Sequence, residues 1–250
     1  MSVSKTEAIS LGRTDYSDSS QIITFYTRDY GKIHTIAKGF KRSSGRHSSR
    51  AIDLLTRYQI LFIKKQHTQL HTLTEAVLQD NYQSLRNNLD RYYKAAYTAE
   101  LVNEFTEEND PCEPLFEAFL DTLTGISADA DTTLRLLVFE IKMLRIVGYL
   151  PEWKQCVNCK ESIQNVPTVH FNAKEGGVLC KACQVKHKNG IVVPAGAALI
   201  AGRLAELNLQ RLERVKIQLP ICIEIEKMLR YYITSILNKK LNSWKYVTFS

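Results

Sequence analysis

Cys156-Val157-Asn158-Cys159 is followed, after twenty residues, by Cys180-Lys181-Ala182-Cys183, so four of the chain's six cysteines fall into two C-x-x-C pairs. Each knuckle presents two thiols from one tight turn, and the segment between them is long enough to fold back as a small hairpin. The four sulfurs therefore predict one tetrahedral zinc ion per chain, with Cys156, Cys159, Cys180 and Cys183 as its ligands. Zinc-bound thiolates must stay deprotonated and unpaired, which points to a reducing compartment. Two disulfides would instead need an oxidising one, and a redox C-x-x-C would stand as a single pair beside a βαβ unit. With every position filled by cysteine the site reads as closed and structural, and the nearby His170 and His187 read as surface residues or as residues behind the ligands. Gly176-Gly177 supplies the backbone freedom that a ribbon turn needs.

On both sides of this ribbon the apolar period is helical. Before it, Leu85, Leu89, Tyr92, Tyr93, Ala96 and Tyr97 share one face, then Leu115, Phe116, Phe119, Leu120 and Leu123, then Leu134, Leu137, Val138, Ile141 and Leu144. Pro111 and Pro114 separate the first two of these helices, and Asp131 or Thr132 is a suitable N-cap for the third. After it, helices are predicted over 195–212 and 221–241, the second with Ile225, Met228, Leu229, Tyr232, Ile233, Ile236 and Leu237 in one apolar stripe. Cys112 and Cys222 read as packing residues. The ribbon, at about 153–189, is an insertion in a helical domain spanning 81–250.

Residues 1–80 read differently. Segments 7–13, 21–27 and 32–37 are short, rich in β-branched residues and separated by turn clusters, and further strands are expected over 51–64 and 70–74. Five short strands suit a small closed barrel of the oligonucleotide-binding type. The fold class is thus α+β and multidomain: a five-stranded OB-fold barrel, then an all-helical domain with an inserted four-cysteine zinc ribbon. Between the third and fourth strands runs Lys38-Gly39-Phe40-Lys41-Arg42-Ser43-Ser44-Gly45-Arg46-His47-Ser48-Ser49-Arg50, which has no hydrophobic period and no acid. A plain linker has no reason to exclude acids, whereas a phosphate-binding loop does. Lys38, Lys41, Arg42, Arg46 and Arg50 are the candidate phosphate ligands, with Arg28 and Lys32 beside them and Phe40 as a candidate for base stacking.

The formal net charge of +7 is unevenly spread. Residues 28–65 hold ten Lys/Arg against Asp29 and Asp53, whereas residues 100–131 hold ten acids and no Lys or Arg. One region suits polyanions and the other repels them. The longest uncharged apolar run, 191–202, is too short to span a bilayer and contains Pro194, and the first ten residues carry Lys5 and Glu7 with no apolar stretch behind them. No membrane span and no export are expected. No Walker A loop, H-E-x-x-H, G-x-S-x-G or dinucleotide turn occurs, so no catalytic residue is assigned.

Thr27-Arg28-Asp29-Tyr30-Gly31-Lys32 leads into Ala37-Lys38-Gly39-Phe40-Lys41-Arg42. Together with the preceding Tyr16-Ser17-Asp18 turn and the later C-x-x-C pairs, this resembles the RecO family of bacterial recombination mediator proteins. The resemblance covers the whole chain in domain order. It implies a non-enzymatic protein of the RecF pathway that binds single- and double-stranded DNA and anneals complementary strands. It also implies contact with RecR and with single-strand-binding protein, and help in loading RecA. Such a protein would be cytoplasmic and nucleoid-associated, with no small-molecule substrate. The acidic, hydrophobic tail of a single-strand-binding protein needs an apolar pocket rimmed by cations, and Arg203, Arg211, Arg214 and Lys227 near the last two helices have the right sign. The competing reading is a metal-dependent nucleic-acid enzyme that carries the ribbon as an auxiliary module.

Overall fold

A computed structural model describes residues 2–18, 20–38, 52–65, 68–128, 131–187, 189–207, 212 and 214–247. The chain forms two compact units, 1–127 and 128–250. The first begins with five strands, β1 (Ser2–Asp15), β2 (Gln21–Thr27), β3 (Gly31–Ala37), β4 (Arg57–Lys64) and β5 (Leu70–Asp80), closed in the order β1-β2-β3-β5-β4. All neighbours are antiparallel except β3 and β5, which run parallel where His34 faces Leu70, while β1 against β4 completes the circle. The closure of β3 on β5 is short, His34–Ile36 against Leu70–Thr72, and the order is that of the oligonucleotide-binding fold.

Inward-pointing residues alternate along each strand and meet in one core of Ala8, Ile23, Phe25, Ile33, Ala37, Ile52, Tyr58, Ile60, Phe62, Leu73 and Ala76. β3 buries residues on both of its faces. Ile33 and Ala37 enter the core, and Ile36 is buried on the outer side as well. The fourth strand starts later than expected because Leu54 and Leu55 form a turn, with Leu55 at φ 54, before pairing begins at Arg57. Ile52, ahead of that turn, still fills the barrel.

Three helices complete the first unit: α1 (Gln83–Arg86), α2 (Leu89–Phe105) and α3 (Glu113–Ser127). The Asn88 side chain caps α2 by accepting from the Arg91 N–H. Its buried residues are Lys94, Ala95, Tyr97, Thr98, Ala99, Leu101 and Val102; Tyr97 is in the core as expected, whereas Leu89, also expected there, is 70% exposed at the helix start. The buried Lys94 ammonium reaches back one turn to Asp90 at 2.9 Å, so an apolar count misses the face it lies on.

The second unit contains α4 (Thr132–Ile146), the strands β6 (Thr168–Asn172), β7 (Gly177–Leu179) and β8 (Ile191–Pro194), and the helices α5 (Lys181–Gln184), α6 (Ala195–Glu206) and α7 (Leu219–Leu237). Asp131 caps α4 through the Leu134 N–H at 2.9 Å. The helix α6 ends at Glu206, short of the expected 212, because Leu207 turns extended. In α7 the left-handed Asn238, at φ 51, stops the helix before 241. Strand β8 pairs with β6, so the ribbon sheet, in the order β7-β6-β8, runs on to Pro194. Among the described residues no helix is long and apolar enough to cross a membrane.

Candidate metal centre and nucleic-acid interface

The candidate metal centre is built by the ribbon of the second unit. The first knuckle closes when the Lys160 N–H donates to the Cys156 carbonyl at 2.9 Å, with Lys160 at φ 64. In the second, the N–H groups of Cys183 and Gln184 turn back on the Cys180 carbonyl. Gly176, at φ 71, makes the turn between β6 and β7. A Cβ on Gly177 would overlap the Glu152 backbone, which exchanges hydrogen bonds with Gly176 and Val178 and so ties the first knuckle to β7. Behind the knuckles Phe171 stacks on Trp153 at 5.4 Å and meets Tyr231 and Tyr232 of α7 edge-on, which anchors the ribbon to the helices.

This framework brings the four predicted sulfurs, those of Cys156, Cys159, Cys180 and Cys183, within 4.8 Å of one another. The Cys159 and Cys180 Sγ atoms lie 3.7 Å apart. A tetrahedron with metal–sulfur bonds of about 2.3 Å has edges of about 3.8 Å, so the set fits a four-coordinate ion. Burial acts to raise the Cys156 thiol, but the amides of Cys159, Cys180 and Asn158 hold it down at about 6. At Cys159 the Glu161 amide favours the thiolate, yet the neighbouring cysteines push the thiol up to about 12. The two nearby histidines face elsewhere: His170 Nε2 lies 3.2 Å from the Asn189 carbonyl and His187 Nδ1 lies 3.0 Å from Glu175.

The barrel of the first unit offers the second site. Lys38 is exposed where β3 ends. Phe40, Lys41, Arg42, Arg46 and Arg50 lie outside the described residues. Arg28 and Lys32 have protein partners that the sequence did not foretell. The Arg28 guanidinium contacts Glu7 at 2.9 Å, Glu113 at 3.1 Å and Glu117, and lies over the Phe116 ring at 4.7 Å. These carboxylates outweigh burial and raise its pKa, so it is a fixed charge. Glu7 also holds Arg57. Lys32 Nζ donates to the Asn103 carbonyl at 2.6 Å, and burial lowers its pKa against the opposing pull of Glu104, Glu107 and Glu108.

The acidic stretch read as repelling polyanions is thus in part an internal counter-ion. Residues 103–110 lie along β3: the Asn109 N–H donates to the Lys32 carbonyl at 2.9 Å, and His34 bridges Thr24 and Glu108 at 3.0 Å each. Gly31, at φ 65, sits so close beneath Asp110 that a Cβ would overlap its backbone. Of the partner candidates in the second unit, Arg203 on α6, Arg214 ahead of α7 and Lys227 on α7 are exposed, with Lys227 3.9 Å from Glu224, and Arg211 lies outside the described residues. Sequence reading overlooked a cleft of about 380 Å³ lined by Arg145, Leu150, Pro151, Trp153, Lys154 and Gly202, among others. The exposed Tyr149-Leu150 pair ahead of Pro151, between Arg145 and Lys154, was its signal.

A closed barrel of the oligonucleotide-binding type, followed by helices that carry a cluster of four cysteines able to hold a metal ion, defines the class of this protein. Family models assign it further: "Recombination protein O N terminal" matches residues 1–82 and "Recombination protein O C terminal" matches residues 86–245. The chain belongs to the RecO family of DNA repair proteins. It is 33% identical over 246 residues to the DNA repair protein RecO of Syntrophus aciditrophicus, covering 96% of this chain and 93% of that one. It is 31% identical over 243 residues to the DNA repair protein RecO of Bacillus pumilus, at 97% and 93% coverage.

Proposed function

We propose that this protein is a non-enzymatic recombination mediator of the RecF pathway. It binds single- and double-stranded DNA, anneals complementary strands, and with RecR assists RecA loading on DNA coated by single-strand-binding protein. The observation that carries this reading is the junction of a closed barrel with an acid-free basic segment: Lys38 at the end of β3, then Lys41, Arg42, Arg46 and Arg50 before β4. Those cations, with Phe40, take the phosphates and a base, while Arg28 and Lys32 fix the barrel wall beside them. The protein works in the bacterial cytoplasm, near the nucleoid. One zinc ion per chain, held by the four cysteines, folds the ribbon and does no chemistry.

The test is incubation with labelled complementary strands and with duplex, in the presence of Mg²⁺ or Mn²⁺. Shifted, intact and faster-annealing strands are expected, whereas cut strands would favour the metal-dependent nucleic-acid enzyme. The tail of the single-strand-binding protein is assigned to the face carrying Arg203, Arg211, Arg214 and Lys227. Arg203 follows Gly202 in the wall of the cleft, whose Leu150, Pro151 and Trp153 supply apolar surface. Reversing those four charges should abolish capture of an acidic tail peptide, and unchanged capture would remove the assignment.

A further inference from the structure

The cleft of about 380 Å³ in the second unit lies where residues 150–154 pack on α6. Gly202 permits that approach, because a Cβ there would stand 3.0 Å from the Trp153 Cβ and 3.6 Å from the Lys154 chain. Leu150, Pro151 and Trp153 give the cleft an apolar wall, and Leu150 keeps 38% of its surface exposed. Arg145 and Lys154 supply its cations, and they are held differently. Arg145 Nη1 donates to the Ala205 carbonyl at 2.9 Å, near the end of α6. Lys154 Nζ donates to the Glu206 carboxylate at 2.6 Å. The other lining acid, Glu152, is tied to its own turn, where it accepts from the Lys154 N–H at 2.9 Å and from Gln155 Nε2 at 3.2 Å.

Glu206 is therefore the lining carboxylate that meets the cations. Lys154, and then Arg145, hold its carboxyl below the usual carboxylate range. The side chains of Lys154 and Glu206 are 51% and 63% exposed, and an ion pair so open to water adds little to folding and exchanges partners readily. A carboxylate resting on a cation beside an apolar wall also shows which ligand chemistry the cleft accepts. It suits a second carboxylate carried on an apolar residue, as at the end of an acidic, hydrophobic tail.

We propose that Glu206 is an internal competitor in this cleft: it holds Lys154 in the free protein and gives way to the terminal carboxylate of the single-strand-binding protein's tail, whose last apolar side chain covers Leu150, Pro151 and Trp153. This rests on the tail-binding reading above and adds the residue that limits its affinity. The probe is a fluorescent acidic peptide ending in an apolar residue, made with a free or an amidated C-terminus. It is titrated at low salt with wild type, Glu206→Gln, Lys154→Gln and the double variant. Glu206→Gln should tighten binding of the free-acid peptide by about 1.5- to 5-fold, the range for releasing one exposed ion pair. Lys154→Gln should weaken binding, and in its background the gain from Glu206→Gln should be lost. The amidated peptide should show no gain. Equal tightening with and without Lys154, or of the amidated peptide, would make Glu206 a source of general charge repulsion and overturns the proposal. Unchanged or weaker affinity in Glu206→Gln, with capture by wild type intact, overturns this proposal alone. If neither wild type nor Glu206→Gln captures the peptide, the tail-binding reading fails and this inference with it.

Discussion

Gly31 and His71 show how far a single residue in this barrel is constrained by what packs over it. At φ 65, with the Asp110 backbone directly above, position 31 tolerates no Cβ. Gly31→Ala should destabilise the first unit by about 2–4 kcal/mol, combining left-handed strain with overpacking, which a urea midpoint would measure. His71 is buried, stacked on Phe62 at 5.5 Å, and burial lowers its pKa, with Lys64, Lys65 and His34 acting in the same sense and Asn109 opposing. A base with a depressed folded pKa binds fewer protons folded than unfolded. Stability is therefore full above the unfolded value of about 6.5 and is lost as pH falls below it, by at most about 1.4 kcal/mol per pH unit. Thermal melts of wild type at pH 7.5 and pH 5 should show that loss, and the His71→Gln variant should show less of it.

On the proposed reading, the ribbon is the element whose folding depends on a bound zinc ion. Structural zinc contributes on the order of 10 kcal/mol in isolated finger peptides, and the Phe171 contacts to Trp153 and α7 leave less of that to the ion here. Cys156→Ser or Cys180→Ser should bring zinc from one per chain to near zero by elemental analysis and lower the soluble yield, while the barrel keeps its strand signal in circular dichroism. Full zinc content in either variant would contradict a four-thiolate site. This element was legible because its cysteines are neighbours in sequence, and two residues between them suffice to bring two sulfurs together. The helices α3, α4 and α7 were legible for the same local reason, a 3.6-residue apolar period. The α2 face was legible only in part: Tyr97 is buried as expected, but the buried Lys94, made tolerable by Asp90 one turn away, lay outside the apolar pattern.

For the whole molecule the question is where its positive charge meets DNA. If Lys38, Lys41, Arg42, Arg46 and Arg50 each touch one phosphate of a single strand, replacing all five with Ser should flatten log affinity against log salt by roughly 3.5, at about 0.7 per contact. Annealing should slow while zinc content stays constant, and an unaltered slope would make the segment a linker. Taken alone, the sequence determined the grouping of the four cysteines, the strand count of the barrel, most helices and the basic segment, all set by spacing over a few residues. Tertiary structure decided which cations have partners. Lys32 meets a carbonyl 71 residues away and Arg28 a carboxylate 89 residues away. Charge counted along a chain cannot reveal such pairs, because Coulomb interaction depends on separation in space, and only folding brings the acidic segment onto the barrel.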